Sequence, residues 1–393
     1  MATNPLKDLT KVGQSIWYDN LNRELVVSGE LQRLIDDDGV TGGTSNPSIF
    51  EKAVGAGDAY DAHVGELVTQ GKQLDQFYDG LTVKDIQLCC DILRPIYDKT
   101  KAADGYASLE VSPDIAYDTQ ASTRDAKRLF AALGKANAMI KIPGTPAGLP
   151  AIEECLTEGV NINITLLFGV ENYEQVARAY IRALQKRHQA GRPIDRVASV
   201  ASFFVSRVDT LIDKLLDEKI ERARNEDEKA KLEELKGKAG VANAKIAYAK
   251  FKEIFSGQIW ENLVEAGARV QKPLWASTST KNPTYRDVIY VEELIGKDTI
   301  NTMPQNTLEA FRDHGVVKAN SIEEDVEGAF ADIRRLQDAG IDFSAVTNQL
   351  QDDGVKQFSD AFKKANDTVS KKRDKILAEE QAGAGVGAGA GND

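Results

Sequence analysis

One lysine in this chain stands where an apolar residue is expected. In Ala138-Met139-Ile140-Lys141-Ile142 it interrupts a β-type run just before Pro143 and Gly144. A strand covered by helices on both sides should be almost continuously apolar. An ammonium buried there is costly unless it is paired or gives up its proton. A desolvated amine is also a usable nucleophile, the requirement for Schiff-base chemistry with a carbonyl substrate. Other runs carry polar side chains in comparable places. Period-two alternation puts Ser108 and Glu110 on one face of Tyr106–Val111, and Asn161, Asn163 and Thr165 on one face of Val160–Leu166. Trp17 shares a face with Asp19, Thr44 with Asn46, and Ser202 follows Ala198 and Val200 in the same alternation. The types form a set: an amine to attack, carboxylates to carry protons as water leaves and returns, and hydroxyls and amides to hold a polyol.

The elements that would position this set alternate along the chain. Candidate strands are Ser15–Asp19, Val40–Ser45, Tyr106–Val111, Ala138–Ile142, Val160–Leu166, Arg196–Ser202, Pro273–Ser277 and Thr299–Met303. Helical patterns separate them. Val176, Tyr180, Ile181 and Leu184 recur on one face of Asn172–His188, and Ile86, Leu93 and Ile96 do so on Val83–Tyr97. Strands alternating with helices predict an α/β fold, here a (β/α)8 TIM barrel with additional helical segments, with a doubly wound sheet as the alternative. No Gly-x-Gly-x-x-Gly turn follows the first strand, against a dinucleotide cofactor. In a barrel the polar faces converge on the axis, with the site at the C-terminal strand ends. The domain expected is one catalytic barrel over residues 1–380, with a helical insertion near 210–272 that includes the charged stretch Glu218–Lys238. A tail, Gln381–Asp393, is too rich in Ala and Gly to bury anything and is expected to be disordered.

Composition narrows the function classes. The 393 residues are 42% hydrophobic and 28% charged, with a net charge of -12, which disfavours nucleic acid and anionic membranes as partners. The cysteines Cys89, Cys90 and Cys155 lack metal-ligand spacing, and His63, His188 and His314 are scattered, so no metal and no other cofactor is expected. No run approaches ~18 apolar residues and Met1–Lys11 has no apolar core, so a cytoplasmic protein is expected.

Three segments then resemble a known family. Thr44-Ser45-Asn46-Pro47-Ser48 looks like the first transaldolase signature, and Ile140-Lys141-Ile142-Pro143-Gly144-Thr145 with Gly148-Leu149 looks like the second. Asn161-Ile162-Asn163-Ile164-Thr165-Leu166-Leu167-Phe168 is similar to the family's next strand, and the likeness, to the longer bacterial type, runs from about Leu6 to Leu377. The resemblance implies that Lys141 forms an imine with the C2 carbonyl of a ketose phosphate. Glu110, through a water oriented by Thr165, would assist dehydration, and Asp19 would take the C4 hydroxyl proton as the C3–C4 bond breaks. Asn46 and Asn163 would hold the dihydroxyacetone fragment; Ser202, Phe204 and Arg207 resemble the segment that binds substrate and its phosphate. One run departs from the pattern. Where many members have Ala-Ser-Phe-Arg, this chain has Ala276-Ser277-Thr278-Ser279-Thr280-Lys281, so Ser277 and Lys281 become candidates for the missing phosphate contact. A plain aldolase releasing free dihydroxyacetone, and a barrel that only binds sugar phosphates, are the alternative readings.

Overall fold

The computed structural model describes residues 4–387. Eight strands, β1 (Gln14–Tyr18), β2 (Val40–Thr44), β3 (Ala107–Glu110), β4 (Ala138–Pro143), β5 (Ile162–Leu167), β6 (Ser199–Phe204), β7 (Lys272–Ala276) and β8 (Thr299–Met303), close into a barrel in sequence order. All pairings are parallel, and β1 pairs with β8. The (β/α)8 barrel is therefore present and the doubly wound alternative is excluded. The expected strands fall within a few residues of the observed ones. The largest shift is at β6, which starts at Ser199 and runs on to Phe204.

Alternation sorts the strand residues between two cores. Ile16, Leu109, Ile140, Ile142, Ile162, Ile164, Phe203 and Trp275 belong to the large core between barrel and helices. Trp17, Met139, Val200, Leu274 and Ile300, from the opposite faces, fill the N-terminal part of the interior. At about 25 cal/mol per Å² of apolar area buried, such packing is the main stabilisation. The barrel closes tightly between β1 and β2, where a Cβ on Gly42 would lie 2.5 Å from the Trp17 ring, so only glycine fits.

Between β6 and β7 the chain inserts the helices Ser206–Ile220, Glu226–Glu233, Ala239–Ile254 and Gln258–Glu265, the first of them starting before residue 210. The charged stretch Glu218–Lys238 is largely exposed. Asp209, on the first of these helices, is buried. It accepts from the Gly240 amide at 2.7 Å and from the Tyr290 hydroxyl at 2.7 Å, joining three segments around β6 and β7. The last helix, Phe343–Gly387, crosses the C-terminal end of the barrel and packs most extensively on the helix Pro47–Gly55. Phe362 meets Tyr78 at 4.7 Å, and Tyr78 meets Phe50 at 5.0 Å. Of the Ala/Gly-rich tail expected from Gln381, residues up to Gly387 continue this helix, and residues 388–393 lie outside the described residues. No helix among the described residues is long and apolar enough to cross a membrane.

Burial pushes the Asp209 carboxyl from its ordinary 3.8 up to about 6, outweighing its hydrogen bonds to Tyr290 and Gly240. The folded protein then holds this proton more tightly than the unfolded chain, so the group's contribution to stability falls as pH rises through that window. Asp209→Asn removes the titration. Urea midpoints at about pH 4 and about pH 7 should show the variant gaining on the parent at the higher pH; an unchanged difference would contradict the assignment.

Candidate active site

The polar residues singled out by alternation meet at the C-terminal end of the barrel. Register places Glu110 beside Lys141, and Lys141 beside Asn163, across β3, β4 and β5. The lysine side chain is 6% exposed and that of Glu110 5%. Their charged atoms are 3.4 Å apart, an ion pair without hydrogen-bond geometry. The Lys141 ammonium donates instead to the Ser45 carbonyl at 3.2 Å, and lies 5.7 Å from the centre of the Phe358 ring on the last helix. Burial pushes the Glu110 carboxyl above the usual carboxylate range; Lys141 pulls it down, and the charge of Asp19 pushes it up. An acid in such surroundings can hold a proton and release it to a leaving group. Neither Glu110 oxygen nor the Thr165 hydroxyl has a hydrogen-bond partner among the described residues, though all three are buried. Buried polar atoms are normally satisfied, so these mark the place for water or substrate.

Beneath them runs a fixed chain of side chains. Ser202 donates to Asn163 at 2.7 Å, and Asn163 donates to Ser108 at 3.0 Å, bridging β6, β5 and β3 inside the barrel. Each of these three is at most 3% exposed. Asp19 follows β1 and accepts from Thr44 at 2.6 Å; Thr44 also meets Thr302 at 3.2 Å. The segment after Asp19 is held from behind, where Arg23 donates to Asp85 at 2.6 Å and the Tyr60 hydroxyl occupies the other carboxylate oxygen at 2.6 Å. Asp19 faces an open cavity of about 630 Å³ shared with Lys52 and Asn306. Asn46 caps the helix Pro47–Gly55 by accepting from the Ile49 amide at 3.0 Å, which leaves its amide nitrogen to point elsewhere.

A second group of polar residues lies at β6 and β7. Phe204 stacks obliquely on Phe168 at 5.0 Å, and the Arg207 guanidinium carbon lies 5.3 Å from the Phe204 ring centre. One Arg207 nitrogen is buried with no partner among the described residues, and the charge of Asp19 acts on this guanidinium. Ser277 has a left-handed backbone, φ 57°, and its hydroxyl is 2.9 Å from that of Ser206. Such a conformation costs a non-glycine residue about 1–3 kcal/mol and tends to occur where geometry serves function. Lys281 is exposed and, among the described residues, has no ion pair or hydrogen bond to the cluster. Among the described residues no three His, Cys, Asp or Glu side chains are grouped to hold a metal. All three cysteines are free and buried.

Sequence reasoning missed the contributions of Ser45, Ser206 and Phe358. Ser45 acts through its backbone, which no side-chain pattern reports. Phe358 reaches the site from a helix whose spacing looks the same whether its face covers a core or an active site.

Comparison with known proteins decides between families that share this barrel. Residues 16–369 match the family model described as Transaldolase/Fructose-6-phosphate aldolase. The chain belongs to that family. It is 46% identical to a protein of Trichodesmium erythraeum named Transaldolase, over 96% of this chain and 99% of the relative. It is 48% identical to Transaldolase 2 of Nostoc sp., over 92% of this chain and 96% of the relative. A Thermobifida fusca protein named Transaldolase is 41% identical over 93% of this chain and 98% of its own length. The family match spans the whole cluster, from Asp19 through Glu110, Lys141 and Thr165 to Phe358 on the last helix.

Removing Lys141 removes the nearest charge that holds the Glu110 carboxyl down. In Lys141→Met that carboxyl should titrate at higher pH than in the parent. Difference infrared spectroscopy of the protonated carboxyl stretch against pH checks this, with Glu110→Gln identifying the band. No upward movement would show that the two groups are not coupled.

Proposed function

We propose that this chain is a transaldolase of the pentose phosphate pathway, acting in the cytoplasm on sugar phosphates with no cofactor. It moves a dihydroxyacetone unit from sedoheptulose 7-phosphate or fructose 6-phosphate to glyceraldehyde 3-phosphate or erythrose 4-phosphate. The observation that carries the reading is the nearly water-excluded Lys141 beside a carboxyl that burial makes a weaker acid.

Lys141 attacks the C2 carbonyl. Glu110, through a water held by Thr165, protonates the departing hydroxyl of the carbinolamine, and the imine forms. Asp19 removes the C4 hydroxyl proton as the C3–C4 electron pair moves into the imine, and an aldose phosphate departs. The three-carbon fragment stays on Lys141, with Asn46 and Asn163 on its hydroxyls. A second aldose enters, its carbonyl carbon is attacked, Asp19 returns the proton, and water adds back to the imine to release the new ketose phosphate and free the Lys141 amine. Ser202 and Phe204 line the sugar, and the Arg207 guanidinium offers its free nitrogen to the phosphate as a planar fork. Ser277 and Ser206 supply hydroxyls on the same side, which supports Ser277 as part of the phosphate grip. Lys281 would have to swing in from the surface to join them.

Borohydride reduction with fructose 6-phosphate, followed by peptide mass analysis, should place the adduct on Lys141, and Lys141→Ala should form none. Asp19→Asn should lower kcat by about 10²–10⁴ while adduct still forms, because the proton carrier and not the nucleophile is lost. Comparing transfer to erythrose 4-phosphate with release of free dihydroxyacetone separates the transferase from a plain aldolase. A parent enzyme that mainly releases the free triose, or an adduct elsewhere, would overturn the reading.

A further inference from the structure

β5 does not end as a regular strand. Its pairing with β6 slips between Ile164 and Leu167, and Leu166 has φ 58°, a left-handed conformation that a leucine rarely adopts. The slip changes the alternation. Asn163 and Thr165 face the barrel interior, Leu167 rejoins the outer core, and Leu166 packs with Val346, Leu350 and Val355 of the last helix. That helix comes close at Gly354, where an added Cβ would lie 2.9 Å from a Leu166 methyl group.

One side chain of the last helix reaches the backbone at this slip, where the Gly144 carbonyl also accepts from the Asn172 amide at 2.8 Å. The Gln351 amide nitrogen lies 3.0 Å from the Leu166 carbonyl, 3.1 Å from the Gly144 carbonyl and 3.2 Å from the Asn172 amide oxygen. Gly144 in turn donates its N–H to the Thr165 carbonyl at 2.8 Å. Gln351 therefore grips the residue after Lys141's strand and the residue after Thr165 at once. Phe358, seven residues further along the same helix, falls on the same face two turns on and stands over Lys141. Thr165, meanwhile, has a buried hydroxyl whose direction no hydrogen bond fixes among the described residues. Its aim depends on the backbone alone.

We propose that Gln351 is a positioning residue for the dehydration step: it holds the left-handed turn at Leu166, and so aims the Thr165 hydroxyl at the water between Thr165 and Glu110. This rests on the role given to Thr165 above. Loss of the amide takes the last helix's donor from the Leu166 carbonyl, leaves the Gly144 carbonyl with its bond from Asn172, and lets the turn relax. Thr165 then moves by a fraction of an ångström, enough to misplace a water whose geometry sets the rate of a proton transfer.

The test is a double-mutant cycle read by rapid quench with borohydride, which follows imine formation on Lys141 in the first turnover. Thr165→Val alone should slow imine formation. Gln351→Met, close to the native shape but without a donor, should slow it and lower kcat by about ten- to a hundredfold. kcat/KM for the acceptor should change by less than about twofold, its KM falling along with kcat, since acceptor binding follows this step. In the Thr165→Val background, Gln351→Met should cost less than about a further twofold, because its path of action is already gone. Gly354→Ala, which presses on Leu166 from the same helix without removing any hydrogen bond, gives a second route to the same turn and should couple to Thr165 in the same way. Normal imine formation in Thr165→Val would refute the role of Thr165 itself. Slow Thr165→Val with normal Gln351→Met, or losses that simply add, would refute the positioning role while leaving that of Thr165 intact. If Gln351→Met does not fold, the Gly354→Ala cycle decides alone.

Discussion

In a closed parallel barrel every second side chain of every strand shares one narrow interior, with little room for water to accept what the strands leave over. Apolar side chains meet that constraint by packing, as Trp17, Met139, Val200, Leu274 and Ile300 do here. Polar ones must find each other, and Ser202, Asn163 and Ser108 do so in a single chain of hydrogen bonds. Above that chain Glu110, Thr165 and Arg207 keep buried polar atoms with no partner among the described residues, as Gln14, Gln271 and Asn301 do elsewhere. Each such atom costs stability until something fills the place, roughly 1–3 kcal/mol apiece. Glu110 on β3, Thr165 on β5 and Arg207 on the helix after β6 are the unmet groups that lie at the C-terminal end of the barrel, where Lys141 is.

The last helix makes this arrangement tenable. Without it the mouth would be open to solvent, and Lys141 and Glu110 would be an ordinary surface pair of little consequence. With Phe358 over the ammonium and Leu166 packed under Gly354, the pair sits in surroundings where a charge is expensive and a proton's position matters. The same helix is anchored far from the site through Phe362, Tyr78 and Phe50, so its place over the mouth does not depend on the site's own contacts.

Much of this could be read from the sequence because barrel strands have a strict period of two. Once Lys141 is placed on one face, Glu110, Asn163 and Thr165 follow from parity alone, and the eight strands announce themselves by their apolar runs. Parity fails where a strand ends in a slip. Nothing in Thr165-Leu166-Leu167 marks Leu166 as left-handed, since leucine is a poor choice for that conformation and only contacts from far along the chain hold it there. The hydroxyl pair Ser206–Ser277 escaped for a related reason, being formed between ends of neighbouring strands. Asp209 looked like one more helical acid; its burial depends on Tyr290 and Gly240, which no local pattern connects to it.

The position of Phe358 has a consequence for how the molecule comes into being. Asp19 lies near the start of the chain and Phe358 near its end, with the nucleophile between them. During synthesis all eight strands leave the ribosome before the helix that covers Lys141 does. A newly made barrel would therefore carry its amine uncovered and wet, and would complete its site only when this helix docks. Contacts of such long sequence separation are slow to form. The reactive state is thus the last to be assembled, and a chain cut short before that helix is expected to be a barrel without an enzyme.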